Sequence, residues 1–101
     1  PTEGDRRLVN MGTAPVEVYA EGRRVATLQP RADLLLSLPL GRVDLTLRDR
    51  ARDTVLRTTV DVEPFQQTTL RCDLQRGFLS QESRLVAELE DLITTLRRLA
   101  S

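Results

Sequence analysis

Val16-Glu17-Val18-Tyr19-Ala20-Glu21-Gly22-Arg23-Arg24-Val25-Ala26-Thr27-Leu28 alternates apolar and polar residues on either side of Glu21-Gly22. A period of two places successive side chains on opposite faces of a strand. Gly22 supplies the positive φ that a tight hairpin turn needs. The stretch therefore predicts strands over 16–20 and 23–28, joined as a hairpin. The same alternation continues outward: Leu34, Leu36 and Leu38 share one face with Leu35 opposite, and Val43, Leu45 and Leu47 share another. Leu56, Thr58, Val60 and Val62 follow, then Leu70, Cys72 and Leu74, while a first short strand is expected over 7–11. Turn residues separate these runs at Gly12-Thr13-Ala14-Pro15, Gln29-Pro30-Arg31-Ala32, Pro39-Leu40-Gly41 and Glu63-Pro64-Phe65. Roughly six or seven short strands with no helix between them predict a small antiparallel β-sandwich, because parallel crossovers need a dozen or more residues.

The pattern changes after Gly77. From Ser80 to Ser101 no Gly or Pro occurs, and Leu85, Leu89, Leu92, Leu96 and Leu99 recur at the a/d spacing of a coiled-coil seam. Val86 and Ile93 widen the stripe on one flank. Ser80 is the expected N-cap, with Glu82 near the start and Arg97-Arg98 near the end suiting the helix dipole. The expected organisation is a linker remnant over 1–5, a sandwich over 6–76 and an amphipathic helix over 77–101. Such a helix is roughly 30 Å long and marginal alone in water, so its stripe must be buried against something. It can pack in cis across its own sandwich, self-associate, or dock on a partner helix. A sandwich can form a two-layer core from its own inward faces, which leaves the stripe as a surplus. Leu85, Val86, Leu89, Leu92, Ile93, Leu96 and Leu99 are thus the candidate protein-interface residues.

Composition narrows the chemistry. The 101 residues carry 15 basic and 15 acidic side chains, so no global field favours nucleic acid or an anionic membrane. All the basic residues are Arg, which points to a GC-rich genome. No apolar run approaches the roughly 20 residues of a membrane-spanning helix. The absence of an initiator Met and of a signal peptide suggests a fragment of a longer protein. With no His, imidazole catalysis and His-ligated metal sites are excluded, and the single Cys72 forms no internal disulfide. Cys72 lies on the inward parity between Leu70 and Leu74, as a small core residue does. Asp61 with Glu63, and Glu88 with Asp91, are the carboxylate pairs. Both read as solvated charge, the latter because Arg84 lies one turn before Glu88. Arg48, Arg50 and Arg52 alternate along one hairpin, but Asp49 and Asp53 dilute their charge. Only Tyr19, Phe65 and Phe78 could stack on bases. No catalytic, cofactor-binding or metal-binding residue is assigned.

Leu8-Val9-Asn10, Pro15-Val16-Glu17-Val18-Tyr19, Glu21-Gly22-Arg23-Arg24-Val25, Leu38-Pro39-Leu40-Gly41-Arg42-Val43 and Val60-Asp61-Val62-Glu63-Pro64 together resemble a PEGA-type domain over roughly 8–73. Glu21 stands where that pattern usually has Asp or Asn, and Ala26-Thr27 where it has Gly-Thr. The resemblance implies a bacterial or archaeal immunoglobulin-like sandwich, an accessory module of envelope or signalling proteins without catalytic residues. It leaves the C-terminal helix unexplained. The expectation is a non-enzymatic scaffold module of a larger bacterial protein that oligomerises or docks through its helix, with the cell envelope favoured. Rival readings are a cell-wall glycan binder using Tyr19, Phe65 and the Arg hairpin, and a spacer with its helix packed in cis.

Overall fold

The computed structural model describes the backbone of residues 3–64, 66–85 and 87–100, and the side chains of all of these except 84, 85 and 87–92. Among the described residues, eight strands precede one helix: β1 Glu3–Asn10, β2 Val16–Ala20, β3 Arg23–Leu28, β4 Asp33–Pro39, β5 Gly41–Asp49, β6 Thr54–Val62, β7 Gln66–Asp73, β8 Phe78–Leu85 and α1 Ala87–Ala100. The strands form two four-stranded sheets, ordered β4-β1-β7-β8 and β3-β2-β5-β6. Their facing sides make a small β-sandwich, and α1 follows it.

The hairpin that opened the sequence reading forms as expected, with Glu21 (φ 51°) and Gly22 (φ 80°) both left-handed in its turn. Val18 faces Ala26 and Tyr19 faces Arg24, so Val25 is a bulged extra residue on edge strand β3. A bulge there spoils the edge as a template for another chain. The second sheet is antiparallel throughout. In the first, β1 runs antiparallel to β4 but parallel to β7, with Leu8 level with Leu70. That parallel pair departs from the antiparallel expectation. It needs no crossover helix, because β2 to β6 themselves carry the chain from one strand to the other.

The core is built from the inward alternation of both sheets. Leu8, Leu38, Leu70, Cys72 and Leu74 from one meet Val16, Val18, Val43, Leu45, Leu47, Val60 and Val62 from the other. The inward face of β1 reads Arg6-Leu8-Asn10, an apolar residue between two fully buried polar ones. Asn10 donates to the carbonyls of Ala14 (2.9 Å), Leu28 (3.1 Å) and Gln29 (3.2 Å) and accepts from the amide of Gly12 (2.9 Å). Arg6, at the other end, donates to the carbonyls of Asp5, Gln66 (3.1 Å) and Asp61 (3.2 Å). Each closes one end of the sandwich by satisfying carbonyls of strand ends and loops that burial would otherwise leave unpaired.

Strand β8 corrects the sequence reading. Residues 78–85, expected to open the helix, pair in full register with β7, from Asp73 opposite Phe78 to Gln66 opposite Leu85. Ser80 is therefore a strand residue and not an N-cap, Glu82 lies on the sheet, and Leu85 ends β8. Gly77, at φ 66°, allows the tight connection from β7. Without β8, β7 would be an open edge. Two inward positions of β8 are polar and both are satisfied: Gln81 donates to the Thr58 hydroxyl (2.9 Å) and the Thr59 carbonyl (3.2 Å), and Ser83 shares a hydrogen bond with Thr68 (2.7 Å). The sandwich thus spans Glu3 to Leu85, so residues 3–5 of the expected linker belong to β1 and the helix starts only at Ala87.

Candidate protein interface

Helix α1 is 14 residues long, with Arg97 and Arg98 in its last turn, where cations offset the partial negative charge of the helix end. At about 1.5 Å per residue it spans about 21 Å. Of the expected interface residues, Leu85 belongs to β8 and Val86 stands alone between β8 and α1. The side chains of Leu85, Val86, Leu89 and Leu92 lie outside the described residues. Ile93 is half-buried, while Leu96 is 55 % and Leu99 79 % exposed. The hydrophobic cluster at the centre of the molecule is made of strand and loop residues. The described end of the stripe is therefore not covered by its own sandwich.

The outer faces of the two sheets differ. That of β3-β2-β5-β6 is polar and ion-paired: Glu17 accepts from Arg50 (2.8 Å) and Arg24 (3.3 Å), and Arg50 also donates to the Tyr19 hydroxyl (3.4 Å). The Arg50 hydrogen bond is the main reason that the Glu17 carboxyl titrates below the ordinary carboxylate range. The outer face of β4-β1-β7-β8 instead holds a shallow groove of about 800 Å³. Val9 and exposed Leu35 lie on its floor, beside the pairs Arg7–Asp33 (2.7 Å) and Arg71–Glu82 (3.0 Å).

Among the described residues, each arginine of the 48–52 hairpin has an acidic partner. Arg48 pairs with Asp53 (3.3 Å), Arg50 with Glu17 (2.8 Å) and Arg52 with Asp49 (3.2 Å), which neutralises the hairpin. Arg6 is fully buried, and desolvation lowers its pKa. Tyr19 is half-buried, with its hydroxyl accepting from Arg50, and Phe65 lies outside the described residues.

A polar relay missed by sequence reading ties three loops together at the Asn10 end. Gln75 accepts from the Thr13 amide (2.9 Å) and donates to Asp49 (2.8 Å), which accepts from the Arg52 amide (3.3 Å). Burial works to raise the Asp49 pKa, but the Gln75 and Arg52 hydrogen bonds outweigh it and the carboxyl titrates low. Asp49 ends β5 and Gln75 lies in the turn after β7, and one sequence offers no signal that separates a part-buried bridge between them from solvated charge. Cys72 is buried, and desolvation, with the nearby Asp73, pushes its thiol up to about 11. Such a thiol is a packing group and not a nucleophile. Among the described residues no group of three or more Cys, Asp or Glu could hold a metal ion, and no helix is long and apolar enough to cross a membrane. Neither protein-family models nor curated proteins give a match to this chain.

Proposed function

We propose that this chain is a non-enzymatic structural and interaction module of a larger bacterial protein, in which α1 mediates assembly or partner docking. The observation that carries this reading is the exposure of Leu96 and Leu99 on a helix too short to be stable by itself. The stripe repeats at seam spacing, so its complement is another helix or an apolar groove. The resemblance of residues 8–73 to PEGA-type domains supports the same class of role and favours the cell envelope. The test is L96D/L99D beside the unaltered chain, with light scattering for mass and circular dichroism for folding. Loss of association with an unchanged sandwich melting curve supports the reading. A lowered sandwich melting temperature makes the helix part of the core and refutes it.

A second reading is favoured by the groove on the outer face of β4-β1-β7-β8. Arg7, Gln67, Thr69, Arg71 and Glu82 line it with donors and acceptors that suit the hydroxyls of a glycan. Retention of the chain on immobilised cell-wall glycan, lost in R7A/R71A, would establish that function instead.

A further inference from the structure

Resting on the assembly reading, we infer that the partner of α1 is the α1 of a second copy, and that the two helices pair antiparallel about Thr94. The segment Leu89-Glu90-Asp91-Leu92-Ile93-Thr94-Thr95-Leu96-Arg97-Arg98-Leu99 is self-complementary when inverted. Turned end for end about Thr94, Leu89 meets Leu99 and Leu92 meets Leu96. In the same operation Glu90 meets Arg98 and Asp91 meets Arg97. Leu89 and Leu96 occupy one heptad position, Leu92 and Leu99 the other, so inversion sets each class of knob opposite the other class. The resulting contact is isologous, the same patch on both chains related by one two-fold axis.

Charge selects the orientation. A parallel pair sets the acidic half of one helix beside the acidic half of the other, and Arg97-Arg98 beside Arg97-Arg98. The antiparallel pair replaces both repulsions with attractions and opposes the two helix dipoles. A single helix dipole also favours acids first and bases last, so charge order alone is not decisive. It is the shared two-fold centre of the leucines and the charges that points to a second copy. By heptad position these charges lie away from the seam, at distances comparable to the Debye length in physiological salt, so they set direction more than strength. The antiparallel pair also places the two sandwiches at opposite ends, clear of one another. Four leucine layers fall short of a standard interface, so the association is concentration-dependent.

Disulfide trapping decides the matter. Leu92→Cys and Leu96→Cys are made as separate variants, one carrying a mass tag, and are oxidised alone and mixed. The inward-facing, buried Cys72 stays out of the reaction. The expected result is a disulfide between L92C of one chain and L96C of the other in the mixture, in several-fold excess over either homodisulfide. Dominant homodisulfides would overturn the antiparallel pairing while leaving self-association standing. A mixture with no disulfide and a monomeric unaltered chain would overturn self-pairing altogether, and the L96D/L99D melting curve would still judge the interface reading separately. Because cysteine at the seam can weaken the helix, R97E/R98E serves as a surface variant. Antiparallel pairing predicts that R97E/R98E pairs with E90R/D91R in preference to itself. Equal pairing of R97E/R98E with itself and with E90R/D91R would overturn the orientation.

Discussion

Replacing Asn10 by leucine tests how the sandwich is closed. The side chain is fully buried and holds four backbone groups, the carbonyls of Ala14, Leu28 and Gln29 and the amide of Gly12, at 2.9–3.2 Å. At roughly 0.5–1.5 kcal/mol net per hydrogen bond, losing all four costs about 2–6 kcal/mol, partly offset by leucine's own packing. Against a total stability of about 5–15 kcal/mol this is a large fraction. At about 4–8 °C per kcal/mol for a domain of this size, a loss of about 2 kcal/mol should lower the melting temperature by about 8–16 °C in a circular dichroism melt. Asn10→Asp should be worse near neutral pH. It keeps the bond to the Gly12 amide but aims a carboxylate at three carbonyl oxygens. Its folded pKa is raised, so its proton is held more tightly in the folded state. That variant should therefore be most stable in acid and lose stability as pH rises through the folded pKa. A loss below about 1 kcal/mol for Asn10→Leu would refute the reasoning, since the loop carbonyls would then have other partners.

Two further outcomes follow from the ionisable groups. Cys72, buried with its pKa pushed up to about 11, should resist aromatic disulfide reagents at pH 8 in the native protein and react at once in denaturant; native reactivity would contradict its burial. Glu17 and Asp49 titrate below the ordinary carboxylate range, so their stabilisation is present above their unfolded pKa and is lost as pH falls through the folded one. Urea midpoints should drop below about pH 4, and Glu17→Gln with Asp49→Asn should flatten that acid limb while lowering stability at neutral pH.

Sequence alternation located most of the sandwich because its signal is local. In β2, β3 and β5 every buried residue is apolar, apart from Asp49 at the end of β5, and the Glu21-Gly22 turn is encoded by its own residues. Strand β8 was not legible, since its inward Gln81 and Ser83 are polar and find partners on β6 and β7 that are distant in sequence. With Leu79 and Leu85 as its only aliphatic residues, heptad spacing from Leu85 onward extended the helix backwards over it. The parallel pairing of β1 with β7 was equally hidden, because paired residues 62 apart in sequence leave no local trace of their register. Of the interface, the spacing of Leu89, Leu92, Leu96 and Leu99 was readable. The groove on the first sheet was not, because Arg7, Val9, Leu35 and Arg71 come together only through β4, β1 and β7 lying side by side.

The parallel alignment of β1 with β7 has a mechanical consequence. Arg6 is level with Thr68, and Gln66 is opposite Leu85, so the beginning of β1 and the end of β8 lie at the same end of the sheet. Only β7 separates them, about two strand spacings or roughly 10 Å. Tension between a segment joined before Glu3 and the helix would peel hydrogen bonds one at a time and would not shear whole strands at once. For the same reason the sandwich adds almost no length between its attachments. It would hang from a longer chain as a side-mounted knob, a geometry that suits presenting a helix and ill suits a spacer.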